Sequence, residues 1–491
     1  MAKRSLSVLF ATSECAPLVK TGGLGDVSAA LPAALRRLGI DARVLLPGYR
    51  EVLAGMPAGT AHDLPAGGGI ATGATRLIET ALPHGVPLIV VDHASAYDRP
   101  GGPYQSPAGA DWPDNPSRFG LLSNVAAMLA GPASPLAWKP DIIHCNDWQT
   151  ALAPAYLRFA SPPVRCATVQ TIHNLAYQGS FTPDWVGRLG LPPASFASEG
   201  VEFHGRLSFL KAGLYYADAI TTVSPTYARE IQSEALGFGM DGLLRWRHDV
   251  LAGILNGIDT EEWNPATDAL IAQRYDASTL RAKAANKKAL QNALGLAQAP
   301  DVPVLGAISR FIEQKGLDLL LATAAGAVAS PAQLVVLGQG DAELERAFTR
   351  LANEHRGRVA VRIGFDNALA HLIEAGADLF VMPSRFEPCG MNQMFSQRYG
   401  TPPIVRATGG LIDSVVDCTP ATLAAGTATG FAFAAPSADA LLAAIRRSIA
   451  TYRDAQAWSA VQRNGMARDF GWDAAARQYA ELYRSLAGAR A

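Results

Sequence analysis

The sequence predicts an α/β protein of two Rossmann-like, doubly wound domains, and three observations carry that prediction. Short β-branched or apolar runs alternate with longer helical stretches along the whole of the 491-residue chain, which is the pattern of parallel sheets covered by helices. The alternation restarts once, after a turn-rich stretch near the middle. A Thr-Gly-Gly-Leu loop also occurs in each half, as Thr21-Gly22-Gly23-Leu24 and as Thr408-Gly409-Gly410-Leu411, each placed to follow a strand and open a helix. In open α/β sheets ligands bind beyond the carboxyl ends of the strands, where glycine lets the backbone approach and helix N-termini offer N–H groups to an anion.

In the first half the strands are expected at 6–12, 43–47, 88–92, 142–145, 168–172, 220–223 and 251–255. In the second they are expected at 304–309, 334–337, 359–363, 379–382 and 403–405. Turn chemistry at 256–265, Asn-Gly-Ile-Asp followed by Trp263-Asn264-Pro265, sets the boundary. The expected division is therefore a first domain over 1–255, a second over 256–470, and a C-terminal helix over 471–491 that packs back on the first domain. Two stretches, 58–74 and 98–118, read as long surface loops, with simple disorder as the plain alternative. Tyr97, Tyr104 and Trp112 lie in or beside the second and are candidates for sugar contact.

Composition excludes several classes. Hydrophobic residues make up 49% of the chain and charged residues 17%, ample for packed cores. A formal net charge of −1 supplies no general attraction for nucleic acid or an anionic membrane, so neither is expected as a partner. The five cysteines, Cys15, Cys145, Cys166, Cys389 and Cys418, are spread out and lack C-x-x-C spacing, so a reducing cytoplasm is the simplest compartment. Lys3 and Arg4 precede an apolar run at 6–11, but Ser7 interrupts it and Glu14 follows. It reads as a buried first strand and not as a signal peptide.

The chemistry-bearing residues cluster at expected strand ends. Gly23-Leu24-Gly25 resembles a dinucleotide fingerprint until its third glycine position, which is Ser28, and no P-loop is present. The Gly-Gly loops taken alone are equally well tight strand-to-helix turns; Lys20 beside the first favours phosphate. Arg310 and Lys315 follow the strand at 304–309, and a diphosphate leaving group needs such cations, although an isolated Arg–Lys pair is by default solvated surface charge. Glu387, in Pro383-Ser384-Arg385-Phe386-Glu387-Pro388-Cys389-Gly390, stands at another strand end. It could accept hydrogen bonds from sugar hydroxyls or cap the helix expected at 391–399. His173 ends the strand at 168–172, and His144 and Asp147 end the one at 142–145; for each a structural role stands beside a ligand-binding one. The histidines are scattered and no Asp-x-Asp pair occurs, so no metal and no cofactor are expected.

Taken together, Lys20-Thr-Gly-Gly-Leu24, Thr171-Ile-His-Asn174, Val223-Ser-Pro-Thr-Tyr-Ala228, Leu255-Asn-Gly-Ile-Asp259, Ser309-Arg310 with Lys315-Gly-Leu317, and Ser384-Arg-Phe-Glu-Pro-Cys-Gly390 resemble the bacterial glycogen synthase and plant starch synthase family over almost the whole chain. The resemblance implies the GT-B arrangement, with the active site in the cleft between two facing domains. It also implies ADP-glucose as donor, the non-reducing end of glycogen or another α-1,4-glucan as acceptor, and transfer with retention. Lys20, Arg310 and Lys315 would then bind the diphosphate, with backbone help from Gly22, Gly23 and Gly390. Glu387 would hold glucose hydroxyls, His173 the transferred glucose, and Asn256 would line the cleft. Phe365 matches the aromatic on which the base stacks, and Asp147 an acidic position near the acceptor. Cys389 and the second loop, Thr408, Gly409 and Gly410, complete the nucleotide-sugar set.

Three positions depart from or discriminate within the family pattern. Met391-Asn392-Gln393 stands where Leu-Thr-Gln is usual, and Asn146 replaces the second histidine of His144-Cys145-Asn146-Asp147-Trp148. Phe395 stands where related sugar transferases often carry a second Glu, which favours the glycogen synthase branch. The rival readings are a similar enzyme with a small acceptor such as glucose 1-phosphate, and a catalytically silent glucan-binding protein.

Overall fold

The protein is described by a computed structural model over residues 5–64, 73–329 and 331–490. It forms two compact units, one of Met1–Gly257 with Trp472–Ala491 and one of Ile258–Gly471. Each of the strands expected from the sequence is present, with its ends displaced by at most two residues.

The strands of unit 1 are β1 (Ser7–Ala11), β2 (Asp41–Pro47), β3 (Thr60–Asp63), β4 (Arg76–Ala81), β5 (Pro87–Asp92), β6 (Ile142–Asn146), β7 (Ala167–Ile172), β8 (Ser180–Phe181), β9 (Glu202–Phe203), β10 (Arg206–Ser208), β11 (Ala219–Thr222) and β12 (Leu251–Gly253). Nine of them make one sheet in the order β12-β11-β7-β6-β1-β2-β5-β4-β3. It is parallel except for β3 and β4, an antiparallel pair at one edge. The chain winds outward from β1 in both directions, so the topological switch point lies between β1 and β6. β8, β9 and β10 form a small separate sheet.

β1 is apolar on both faces because both are covered. Val8 and Phe10 pack with Val27, Leu31 and Leu35 of the helix Gly23–Arg37, and with Trp472, Tyr479 and Tyr483 of the C-terminal helix Trp472–Arg490. Leu9 and Ala11 face a second core beneath the helix Asn115–Ala130.

Unit 2 continues with β13 (Val304–Ile308), β14 (Gln333–Gly338), β15 (Val359–Ile363), β16 (Leu379–Met382), β17 (Pro403–Arg406) and β18 (Phe431–Phe433). They form one wholly parallel sheet in the order β15-β14-β13-β16-β17-β18. Its switch point lies between β13 and β16. Leu305, Ala307, Leu334 and Val336 feed the core on one face, and Val304, Val335 and Phe380 feed the other.

Of the two loop expectations, the first needs correction and the second holds as far as Asp114, where the helix Asn115–Ala130 begins. The stretch 58–74 contains edge strand β3, which an exposed four-residue run with little apolar content does not announce; its residues 65–72 lie outside the described residues, as do Lys3 and Arg4. The stretch 98–118 is ordered around Arg118, only 1% exposed, whose guanidinium donates to Ala96 O, Pro103 O and Asn115 Oδ1. Tyr97 is buried and donates its hydroxyl to Arg118 O at 2.7 Å, which removes it as a sugar contact. A buried arginine that meets several carbonyls gives a long loop the hydrogen bonds that secondary structure would otherwise supply.

Tyr479 is buried in the core that β1 shares with the helix Gly23–Arg37. Tyr479→Ala is expected to destabilise unit 1 by about 3–5 kcal/mol, read as an earlier urea transition of unit 1 with that of unit 2 unchanged.

Candidate active site

In unit 2 the switch point brings two loops together because β13 and β16 are neighbours. The loop after β13 carries Arg310 and Lys315, and the loop after β16 carries Glu387. Glu387 is only 4% exposed, and its Oε2 accepts from Lys315 Nζ at 2.6 Å and from Ser384 Oγ at 2.9 Å. Its Oε1 makes no hydrogen bond within the described residues. Glu387 is therefore not the cap of the following helix, which spans Asn392–Arg398 with Met391 at its N-cap. Arg310 is exposed, and its guanidinium has no partner among the described residues.

Several side chains stitch the two loops together. Arg385 grips Asp318 with a two-pronged fork at 2.7 and 2.6 Å, and Gln314 Nε2 donates to Phe386 O. Gly316 takes a left-handed φ of 64°; a Cβ there would run into Pro383 O. Asn392, at a position where the resemblance led us to expect a hydroxyl, donates its amide to Ile308 O at 3.0 Å. It ties the helix N-terminus to the end of β13.

The second Gly-Gly loop has a packing role that motif reading does not reveal. A Cβ on Gly409 or Gly410 would strike Glu387 O or Cys389 O respectively, and Gly410 N–H donates to Glu387 O and Pro388 O. Thr408, Gly409 and Gly410 are buried against the segment that carries Glu387, Cys389 and Gly390. Phe365, just beyond β15, is 85% exposed and presents an open aromatic face.

In unit 1 the first Gly-Gly loop is open instead: nothing would meet a Cβ on Gly22, and Gly23 starts the helix Gly23–Arg37. Its amides are nevertheless engaged. Glu14 Oε2 accepts from Thr21 N at 2.5 Å and Gly22 N at 3.0 Å, and Glu14 Oε1 accepts from Tyr104 OH at 2.6 Å. The motifs do not select Glu14; a lone acidic residue between a first strand and a Gly-Gly loop was the available signal. Tyr104 is thus held by a carboxylate. Lys20 Nζ pairs with Asp26 at 2.7 Å. Ser28, at the third glycine position, bonds Thr12 at the end of β1.

His173 lies just past β7 and Asn146 ends β6, its neighbour. Their side chains meet at 2.9 Å, Nε2 to Oδ1. Asp147 holds the His173 backbone, since its Oδ1 accepts from His173 N at 2.7 Å and Asn174 N at 3.4 Å. It does so from a φ of 54°, a conformation costly for a residue with a Cβ. His144 has both ring nitrogens engaged within the core, Nδ1 with Tyr483 OH at 2.6 Å and Nε2 with Thr171 Oγ1 at 2.5 Å. Its role is structural. Burial pushes both His144 and His173 down to about 3, so both rings are neutral at pH 7. Asn256 is buried, and its Oδ1 has no hydrogen-bond partner among the described residues. Among the described residues no group of three or more His, Cys, Asp or Glu could hold a metal ion, and no helix is long and apolar enough to cross a membrane.

Comparison with known proteins shows the family and the fold. A family model for the starch synthase catalytic domain matches residues 7–246, and one for group 1 glycosyl transferases matches 295–464. The chain is 55% identical to a glycogen synthase of Nitrosospira multiformis over 98% of this chain and 97% of that one. It is 56% identical to a glycogen synthase of Aromatoleum aromaticum over 99% and 98%. Among solved structures, the catalytic domain of starch synthase IV from Arabidopsis thaliana, bound to ADP and acarbose, superposes with a TM-score of 0.88 at 32% identity, covering 99% of this chain and 100% of that one. Sucrose-phosphate synthase from Thermosynechococcus elongatus shares the fold, with a TM-score of 0.59 at 21% identity over 99% and 100%.

Two Rossmann-like units with these matches define a GT-B glycosyltransferase, an enzyme that moves hexosyl groups. Within that class, the chain belongs to the glycogen synthase and starch synthase family. Its donor is a nucleotide sugar and its acceptor a glucan.

Asp147 gives a pH test. Burial pushes its carboxyl up from 3.8 to about 7, against the two backbone N–H bonds that lower it and with the nearby Glu14 carboxylate adding to the rise. The folded state then binds more protons than the unfolded state between those values, so this group's contribution to stability is lost as pH rises from about 4 to about 7. Asp147→Asn keeps an acceptor and removes the charge. Its stability relative to wild type is expected to grow by at least about 1 kcal/mol over that window, measured by denaturant melts at each pH.

Proposed function

We propose that the chain transfers glucose from ADP-glucose to the non-reducing end of an α-1,4-glucan with retention of configuration. The observation that carries this is the arrangement at the unit 2 switch point: a buried carboxylate with one oxygen held by Lys315 and Ser384, and the other without a partner among the described residues. Glu387 Oε1 can accept from glucose hydroxyls, while Lys315 and the exposed Arg310 neutralise charge that grows on the diphosphate as the sugar–phosphate bond breaks. Lys20 would exchange Asp26 for phosphate. Phe365 would stack on the base, with Cys389, Gly390 and the segment Thr408, Gly409 and Gly410 shaping the nucleotide side. Gly22, Gly23, His173, Asn256 and Asp147 would serve from unit 1, His173 towards the transferred glucose and Asp147 towards the acceptor.

Retention by same-face attack suits these residues. The leaving phosphate would draw the proton from the acceptor hydroxyl, which requires that phosphate be held firmly. Fixed cations supply that role, so transfer is read as independent of metal and cofactor. Five free thiols fit a cytoplasmic location.

Incorporation of labelled glucose into glycogen, with ADP-glucose and UDP-glucose compared and glucose 1-phosphate as a parallel small acceptor, tests the reading. ADP-glucose with glycogen is the expected productive pair, undiminished by chelator. Glu387→Ala, Arg310→Ala and Lys315→Ala are each expected to lower kcat roughly a hundredfold or more. Absence of incorporation from either donor would overturn the assignment.

A further inference from the structure

We propose that Asn146 is a positioning residue that holds His173 in its Nε2–H tautomer and leaves Nδ1 as a proton-free acceptor for a sugar hydroxyl. Only the identity of that hydroxyl rests on the proposed function. The tautomer follows from Asn146 itself.

Asn146 is fully buried at the end of β6. Its Nδ2 donates to Ala11 O at 3.0 Å and to His144 O at 3.3 Å. Both partners are carbonyls, which can only accept, so the amide nitrogen must face them. A flipped amide would lose both bonds and set its oxygen against two carbonyl oxygens. The backbone is fixed as well: Asn146 N donates to Thr150 Oγ1 at 2.7 Å, and Thr150 Oγ1 donates to Asn146 O at 3.0 Å.

With the nitrogen so placed, Oδ1 is the atom 2.9 Å from His173 Nε2. An amide oxygen has no proton to give, so Nε2 must carry the hydrogen. A neutral imidazole has one N–H, and Nδ1 is therefore bare; it has no protein partner among the described residues. The other tautomer would oppose two lone pairs in a buried place where a hydrogen bond now stands. β6 and β7 are in register at Asn146 and Thr171, and His173 stands two residues further on, just past the end of β7. A histidine at position 146 could donate or accept and would leave the tautomer of His173 open. Asparagine in this environment closes that choice.

The full-length chain labelled with 15N in its histidines decides the matter, because two-bond 1H–15N correlations distinguish the tautomers. His173→Gln identifies the His173 signals. In the wild type, the Nε2–H pattern is expected from about pH 6 to about pH 8. Asn146→Leu, of similar size without the acceptor, is expected to convert it to a mixture of tautomers and to lower kcat/KM for glucosyl transfer about tenfold, with near-UV circular dichroism retained. An Nδ1–H pattern in the wild type overturns the proposal, as does an unchanged tautomer in a folded Asn146→Leu. If that variant does not fold, the wild-type pattern alone decides. Failure of glucosyl transfer in the wild type speaks against the proposed function and leaves the tautomer signals to judge this inference.

Discussion

The contact between Glu387 and Lys315, a carboxylate almost wholly out of water with an ammonium at 2.6 Å, is the constraint around which unit 2 is arranged. A charge so placed is tolerated only when paired and hydrogen-bonded. Pairing requires that the loops after β13 and β16 stay in register, although they are far apart in sequence. Parallel topology puts those strand ends side by side, and the Arg385–Asp318 fork, Gln314, Asn392 and the close-packed Gly409–Gly410 turn hold the loops there. What looks like a set of separate motifs is one packed cluster at the switch point.

Unit 1 meets its own switch point with different chemistry. There the important groups are neutral or internally satisfied: two uncharged imidazoles, a buried amide, and a carboxyl raised to about 7. Glu14 engages the amides of the first Gly-Gly loop, so any anion arriving there must share or displace that carboxylate. The two Thr-Gly-Gly-Leu segments are alike in sequence and unlike in use, one open to solvent and the other needed for close approach of backbones.

Much of this is legible in the sequence, for physical reasons. Parallel strands are buried on both faces, so they read as unbroken apolar runs, and β1, β13 and β16 stand out in the chain by that feature alone. An edge strand such as β3 carries no such signature because its residues are mostly exposed. The long stretch at 98–118 reads as a plain surface loop because its order comes from Arg118, a residue type that usually signals surface. Glu387 falls at the right strand end, but whether it capped a helix or faced a cation depended on Lys315, separated from it by the whole of β14 and β15.

By itself the sequence determined the fold class, the strand ends that would carry chemistry and the family, because these depend on local periodicity and on motifs short enough to be read in one place. Only the tertiary structure decided which motif residues are partners: Lys315 with Glu387, Glu14 with the Gly-Gly loop, Asn146 with His173, and His144 with the distant Tyr483. Those pairings arise from strand order and from the packing of the C-terminal helix, and distances between residues remote in the chain are written in neither composition nor spacing.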